Sequence, residues 1–146
     1  MLLHQDHKFI HNNVAFQLPN NVYLDACPDP SPIEGMVLYS KDQRARIEIF
    51  FAETESSALA FLEEERECYE TFQSLKQILP ITVNAIDGCS LSFATKHHMY
   101  EEYAFNIPGE VATLLDICIE QRQDSPTDPT QCAQIVAELL SGITLL

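Results

Sequence analysis

Hydrophobic and polar residues alternate along several short stretches of the chain, which is the pattern of strands that bury one face. The clearest stretch is residues 45–51, where Ala45, Ile47, Ile49 and Phe51 fall on one side. A polar turn at residues 40–43 joins this strand to an apolar one before it. The pattern predicts eight strands, over residues 13–18, 22–24, 36–39, 45–51, 81–86, 90–96, 100–107 and 111–119.

The last four of these strands form a predicted meander. The turn signals between them are Asp87-Gly88, His97-His98 and Pro108-Gly109, since Gly, Pro and Asp are common in short turns. Residues 111–119 are apolar at almost every position, which favours a central strand covered on both faces.

Helical spacing of apolar residues predicts two helices. The first begins near Thr54 or Ser56, either of which can cap its free amides, and ends at Pro80. Glutamates occupy much of its outer side and indicate a solvated face. Its apolar stripe comprises Leu59, Leu62, Tyr69, Phe72, Leu75, Ile78 and Leu79.

The second helix is predicted at the carboxyl-terminal end of the sequence. Thr127 or Asp128 caps it, and Pro129 sits in the first turn, where a missing amide is harmless. Gly142 is predicted to stop it in a left-handed conformation. Its apolar stripe comprises Cys132, Ile135, Val136, Leu139 and Leu140.

These elements predict one α+β domain over residues 1–146, with a twisted antiparallel sheet of six or seven strands flanked by two helices. Residues 1–8 are expected to be frayed, because they are polar and terminal. The proline-rich residues 27–32 are predicted to form a loop inside the domain.

Charge restricts the classes of partner. The chain has 22 Asp and Glu against 8 Lys and Arg, for a formal net charge of −14. Nucleic acid and anionic membrane surfaces are therefore excluded as expected partners, because both need clustered basic residues. A protein partner with basic character is favoured instead. No stretch is apolar for long enough to span a membrane, and the first residues lack the features of a signal peptide, so a cytoplasmic location is predicted.

The five cysteines, Cys27, Cys68, Cys89, Cys118 and Cys132, include no CxxC pair. Most lie in predicted helices or strands, where cysteine usually behaves as a small buried hydrophobe. A reducing compartment follows more naturally than a disulfide framework.

The densest set of metal-ligating residue types is His97, His98, Glu101 and Glu102. Alternation along a strand places His97 and Glu101 on one face and the other two on the opposite face. Two ligands per face are too few for a structural zinc site, so an exposed polar turn is predicted. His4, His7 and His11 lie in the polar terminus. No metal, no cofactor and no catalytic motif are predicted.

The run Phe16-Gln17-Leu18-Pro19, followed by a short strand that ends at Asp25, resembles the opening of PsbP-like and DcrB-like domains. The later order of elements agrees, although the sequence has no Trp after the Leu-Pro pair. The resemblance implies an α/β/α sandwich and non-catalytic roles, among them photosystem subunits, nuclear-transport cofactors, lipoproteins and secretion chaperones. It brings no catalytic residues.

The sequence therefore favours a non-catalytic intracellular protein-binding, adaptor or chaperone-like domain. Its binding surface is predicted on an apolar sheet face near Phe50, Leu91, Phe93 and Tyr103. One alternative is a small metal-binding protein or enzyme that uses the cluster from His97 to Glu102. Another is a homodimer whose interface is a sheet edge or face.

Overall fold

A computed structural model describes residues 2–5, 8–24, 34–68 and 77–146. The described part contains two helices, α1 (Ala58–Cys68) and α2 (Pro129–Ser141). The strands are β1 (Leu2–Gln5), β2 (Lys8–His11), β3 (Val14–Gln17), β4 (Val22–Leu24), β5 (Glu34–Ser40), β6 (Ala45–Glu53), β7 (Leu79–Val83), β8 (Ile86–Ala94), β9 (His98–Ile107), β10 (Thr113–Arg122) and β11 (Ile143–Leu145).

Seven strands form one open antiparallel sheet in the order β4-β5-β6-β10-β9-β8-β7. This confirms the predicted α+β class and the sheet of about seven strands. The meander from β7 to β10 is confirmed as well, because each of these strands pairs with the next along the chain.

A second sheet, in the order β1-β2-β3-β11, was not foreseen. Residues 2–5, expected to be frayed, pair with β2 in this sheet. The pairing of β3 with β11 brings together strands from opposite ends of the sequence. No local pattern marks such a pairing, since it depends on where the rest of the fold places the two strands.

The two faces of the large sheet hold separate cores. The inner face packs against the second sheet and α2 in one cluster that includes Ile47, Ile117, Phe105, Phe16 and Ile135. The outer face packs against α1, where Ala58 and Leu62 contact a smaller cluster that includes Leu91, Phe93, Ala104 and Leu114. The sequence predicted two helices on opposite faces of the sheet, and α2 and α1 occupy these positions.

The first turn of the meander differs from the prediction. The turn lies at Asn84-Ala85, and both residues have positive φ, 50° and 65°. Asp87 and Gly88 lie inside β8 instead. Gly88 serves close packing there, since a Cβ at this position would approach the backbone oxygen of Ala104 to 2.3 Å.

Helix α1 also departs from the prediction at both ends. Ser57 accepts a hydrogen bond from the amide of Ala60 at 3.0 Å, so Ser57 is the cap rather than Thr54 or Ser56. Leu59, placed by spacing on the apolar stripe, is 46% exposed. Leu79 and Pro80 belong to strand β7 rather than to the helix.

Pro80 is tolerated in β7 because this strand lies at the edge of the sheet. The predicted helical positions Tyr69, Phe72 and Leu75 lie outside the described residues. So does the proline-rich loop predicted at residues 27–32.

Helix α2 follows the prediction at its start. The side chain of Asp128 accepts hydrogen bonds from the amides of Thr130 and Gln131, and Pro129 is in the first turn. The predicted left-handed stop is wrong, because Gly142 has φ −78°. Its lack of a side chain lets Gln17 approach, since a Cβ would lie 2.4 Å from the Gln17 carbonyl oxygen.

Candidate functional site

A groove of about 610 Å³ lies beside α2 at the end of the β8–β9 hairpin. We call it the α2 groove. Its walls come from β8, β9, the end of β10, the segment before α2 and one side of α2 itself. The lining residues are Ser92, Phe93, Ala94, Met99, Tyr100, Glu101, Gln121, Pro126, Thr127, Pro129, Cys132, Ala133, Val136 and Ala137.

Small side chains keep the α2 groove open. Ser92 and Ala94 line it from β8, and Ala133 and Ala137 line it from α2. Large side chains on α2, such as Ile135 and Leu139, instead enter the main core. The groove is therefore an unfilled space between α2 and the sheet, because the side chains that face it are small. Its volume falls within the range of about 300–1,000 Å³ that is usual for ligand sites.

Glu101 is the charged residue among the described groove-lining residues. The Tyr103 hydroxyl donates a hydrogen bond to its Oε2 at 2.9 Å, which fixes the carboxylate. Burial and the charge of Glu101 raise the pKa of the Tyr103 hydroxyl, so the proton stays on the tyrosine.

The floor of the groove near the start of α2 is held by a short polar network. The amide of Thr127 donates to Gln121 Oε1 at 3.2 Å, and Gln121 Nε2 donates to Cys132 Sγ at 3.2 Å. Burial, and then the charge of Glu101, raise the pKa of the Cys132 thiol. A thiol in that state is a poor nucleophile, so the network supports the groove rather than chemistry.

The four residues of the predicted apolar face do not share one face. Register places Phe50, Leu91 and Phe93 on the outer side of the sheet and Tyr103 on the inner side. Leu91 and Phe93 are only 1% and 4% exposed, because α1 covers that region. The expected open groove over these residues is thus closed by helix.

The histidine and glutamate cluster is divided too. Glu101 lines the α2 groove, whereas Glu102 is 3% exposed on the outer side beneath α1. His98 Nε2 lies 3.4 Å from Glu120 Oε1, and His97 is exposed. The described part of the chain contains no group of three or more His, Cys, Asp or Glu side chains arranged to hold a metal ion.

Of the three N-terminal histidines, His11 is the one whose side chain is described. It is buried at 4% exposure and its ring stacks on Phe51 with the centroids 4.6 Å apart. His11 therefore belongs to the folded core.

A group of buried carboxyls beneath α1 was missed. Glu102 of β9 and Asp116 of β10 are 3% and 8% exposed and lie on the same side of adjacent strands. Glu65 of α1 reaches the Glu102 carboxyl from above. We call Glu65, Glu102 and Asp116 the carboxyl cluster. Asp116 interrupts an otherwise apolar strand, and that interruption was the signal available in the sequence.

Burial is the main cause of unusual protonation in this cluster. It raises the pKa of Glu102 to about 10, with the Asp116 charge adding to the effect. Burial likewise raises the pKa of Asp116 to about 7 and raises that of Glu65. Burial also raises the pKa of the neighbouring Cys118 thiol, so this thiol stays protonated.

The described cysteines form no disulfide with one another. Cys68, Cys89, Cys118 and Cys132 are all free thiols, and Cys27 lies outside the described residues. Among those residues, neither helix has the length and apolar character needed to cross a bilayer.

This protein resembles known proteins in its structure but not detectably in its sequence. No family model matches the sequence, and no curated protein matches it. LpqN of Mycobacterium tuberculosis, a protein involved in cell envelope biogenesis, is similar with a TM-score of 0.60 and 11% identity. That alignment covers 90% of this chain and 82% of LpqN.

A second similar structure is a protein of Bacteroides thetaiotaomicron, with a TM-score of 0.58 and 11% identity. It aligns with 98% of this chain, which spans about half, 49%, of the Bacteroides protein. At this level of identity the two likenesses establish a shared fold, and function has to be argued from the site.

Proposed function

We propose that this protein is a non-catalytic module that binds a protein partner in the α2 groove. The observation that carries the proposal is the groove itself, a largely apolar site with one fixed carboxylate, Glu101. Sites of this composition take an apolar group and orient it with a few polar contacts. The neighbouring thiol is protonated and unreactive, which fits binding rather than catalysis.

The partner's chemistry follows from the lining. An apolar side chain would fill the space between Ala133, Val136 and Met99, three residues of the lining. A lysine or arginine close to it in sequence would pair with Glu101. The net charge of −14 favours such a cationic segment at longer range. We therefore expect the bound element to be a peptide segment that is apolar on one side and carries at least one basic residue.

The proposal is compatible with the resemblance to PsbP-like and DcrB-like domains, which are non-catalytic. From the sequence, we propose that the chain belongs to that α/β/α class. On the same basis, we propose a cytoplasmic location. The LpqN likeness supports the fold in this proposal, and its role in cell envelope biogenesis stays a statement about LpqN. The alternative of a metal protein or enzyme gains no support, because its side chains lie on different faces.

The test compares two neighbouring substitutions on α2. Ala133 lines the α2 groove, whereas Gln134 is exposed outside it. Ala133→Arg would fill the groove, and Gln134→Arg adds the same charge without filling it. The probe is a library of amphipathic peptides, each with one Lys or Arg, measured by fluorescence anisotropy. We expect Ala133→Arg to weaken the selected peptides by about tenfold or more and Gln134→Arg to leave them unchanged.

A second arm tests the carboxylate. Glu101→Gln keeps an oxygen for the Tyr103 hydroxyl and removes the charge. It should weaken the basic peptides and leave versions with Gln in place of Lys or Arg unaffected. If no peptide in the library binds, or if both arginine variants behave alike, the α2 groove is not the binding site.

A further inference from the structure

The carboxyl cluster contains more acceptors than the surrounding protein can satisfy. Glu102 Oε1 and Asp116 Oδ1 are fully buried and have no hydrogen-bond partner among the described residues. The neighbouring polar groups are themselves carboxyls, since Asp116 lies on the same face of the adjacent strand and Glu65 belongs to the helix that covers this face. An ionised carboxylate can only accept hydrogen bonds, so neighbouring carboxyls can satisfy these buried oxygens only while one of them keeps its proton.

The three carboxyls come from three different elements. Glu65 belongs to α1, Glu102 to β9 and Asp116 to β10. A proton between Glu65 and Glu102 therefore joins the helix to the sheet. Loss of that proton would leave like charges facing each other in a poorly solvated space, which is strongly unfavourable.

We propose that the carboxyl cluster is a proton-bound latch, which holds α1 on the sheet while it is protonated and releases α1 when alkaline conditions remove its protons.

The charges around the cluster would not offset this loss. From β10, Cys118 and Glu120 lie on the same side as Asp116, and from β8 the nearest titratable group is Cys89. From β6, Glu48 faces Cys118, and it is already paired with Arg46. Burial, and to a lesser extent the charge of Glu63 on α1, raise the pKa of the Cys89 thiol. Arg66, next to Glu65 on α1, does not contribute to the pKa shifts of the three carboxyls. Apart from the Arg46–Glu48 pair, the other groups named here are acidic or thiol groups.

Release of α1 would have a defined structural result. Ala58 and Leu62 of α1 cover Leu91, Phe93 and Leu114 of the sheet. These residues would become exposed together as one apolar surface. It contains two of the residues that the sequence indicated as a binding face, and it is closed in the latched state. This apolar surface is distinct from the α2 groove, which Ala133 and Val136 line from α2 on the inner side of the sheet, although Phe93 borders both.

Hydrogen–deuterium exchange tests the latch on the intact chain, with protection factors corrected for the base-catalysed exchange rate. We expect the protection of α1 amides to fall by about tenfold or more between pH 6 and pH 9. Protection in α2, which packs on the other face of the sheet, serves as the internal reference and should fall much less than protection in α1. Glu102→Gln should remove the pH dependence of α1, because glutamine can donate a hydrogen bond at every pH.

Glu101→Gln is the matched control, since it makes the same change one position earlier on the opposite face of β9. It should leave the pH dependence of α1 intact. Glu65→Gln, on the helix and partly exposed, gives a second reading if Glu102→Gln does not fold. The latch is refuted if α1 and α2 of the wild type lose protection in parallel. It is also refuted if Glu102→Gln and Glu65→Gln both keep the pH dependence of α1 protection that the wild type shows.

Discussion

Residue 85 is an alanine in a backbone conformation that alanine avoids. Its φ is 65°, and it follows Asn84 at φ 50° in the two-residue turn between β7 and β8. Hairpin turns of this type strongly prefer Asn-Gly, because glycine has no Cβ to clash with the preceding carbonyl. The side chain of Asn84 donates to the Ile143 carbonyl at 2.6 Å, which helps to hold the turn in place.

We predict that Ala85→Gly stabilises the protein by about 1 kcal/mol, since it relieves the left-handed strain of an alanine. The free energy of unfolding from urea titration measures the effect. Ala112→Gly is the control, because Ala112 lies in a loop without positive φ. It should destabilise by about 0.5–1 kcal/mol through added freedom of the unfolded chain. Equal effects of the two substitutions would show that Ala85 is not strained.

Single residues also explain where reading the sequence failed. Asp87-Gly88 has the composition of a turn but lies in β8, since Gly88 is needed for close approach to β9. Glu102 looks like an exposed strand residue but is buried beneath α1. In both cases the deciding neighbour is distant in sequence, so no local pattern could reveal it.

At the scale of elements, α2 was predictable because its signals are local. The cap at Asp128, Pro129 in the first turn and the buried residues Cys132, Ile135 and Leu139 all appear within one stretch. Helix α1 has weaker local signals, and its start is set partly by a distant contact. The Ala58 amide donates to the side chain of Asn106 at 2.9 Å.

We predict that Asp128→Ala destabilises the protein by about 1 kcal/mol, because two amides at the start of α2 lose their acceptor. Thermal or urea unfolding measures the change. Asp128→Asn should retain most of the stability, since asparagine is also a good cap. A loss of the same size in both variants would mean that the negative charge, rather than the hydrogen bonds, is what stabilises α2.

At the scale of the whole molecule, strand alternation and short turns predicted the meander, and the helical spacing of apolar residues predicted the flanking helices. They did not predict the second sheet, nor the α2 groove, since both depend on how separate elements pack. The groove exists because small residues on β8 and α2 face each other, and neither stretch has a pattern of its own that signals a site.

The buried carboxyls give the whole molecule a pH dependence of defined sign. The folded state raises the pKa of Glu102 to about 10 and that of Asp116 to about 7, so it binds protons more strongly than the unfolded chain. Stability is therefore greatest at mildly acidic pH and is lost as the pH rises towards these values. We predict a loss on the order of 2–4 kcal/mol between pH 5.5 and 8.5.

Urea titrations at the two pH values measure this loss. Glu102→Gln should reduce it, and Glu101→Gln should leave most of it in place. The net charge of −14 also opposes folding at high pH, and the Glu101→Gln control carries that contribution equally. A protein whose stability is the same at both pH values would show that these carboxyls are not protonated in the folded state.

The pairing of β3 with β11 has a consequence for synthesis. These strands are about 130 residues apart in sequence, yet they are neighbours in one sheet. On the ribosome, the large sheet can assemble from local hairpins, while Val14 and Phe16 of β3 must wait for Ile143. Until then part of the apolar core stays open, so the nascent chain can bury that surface only after β11 has been synthesised.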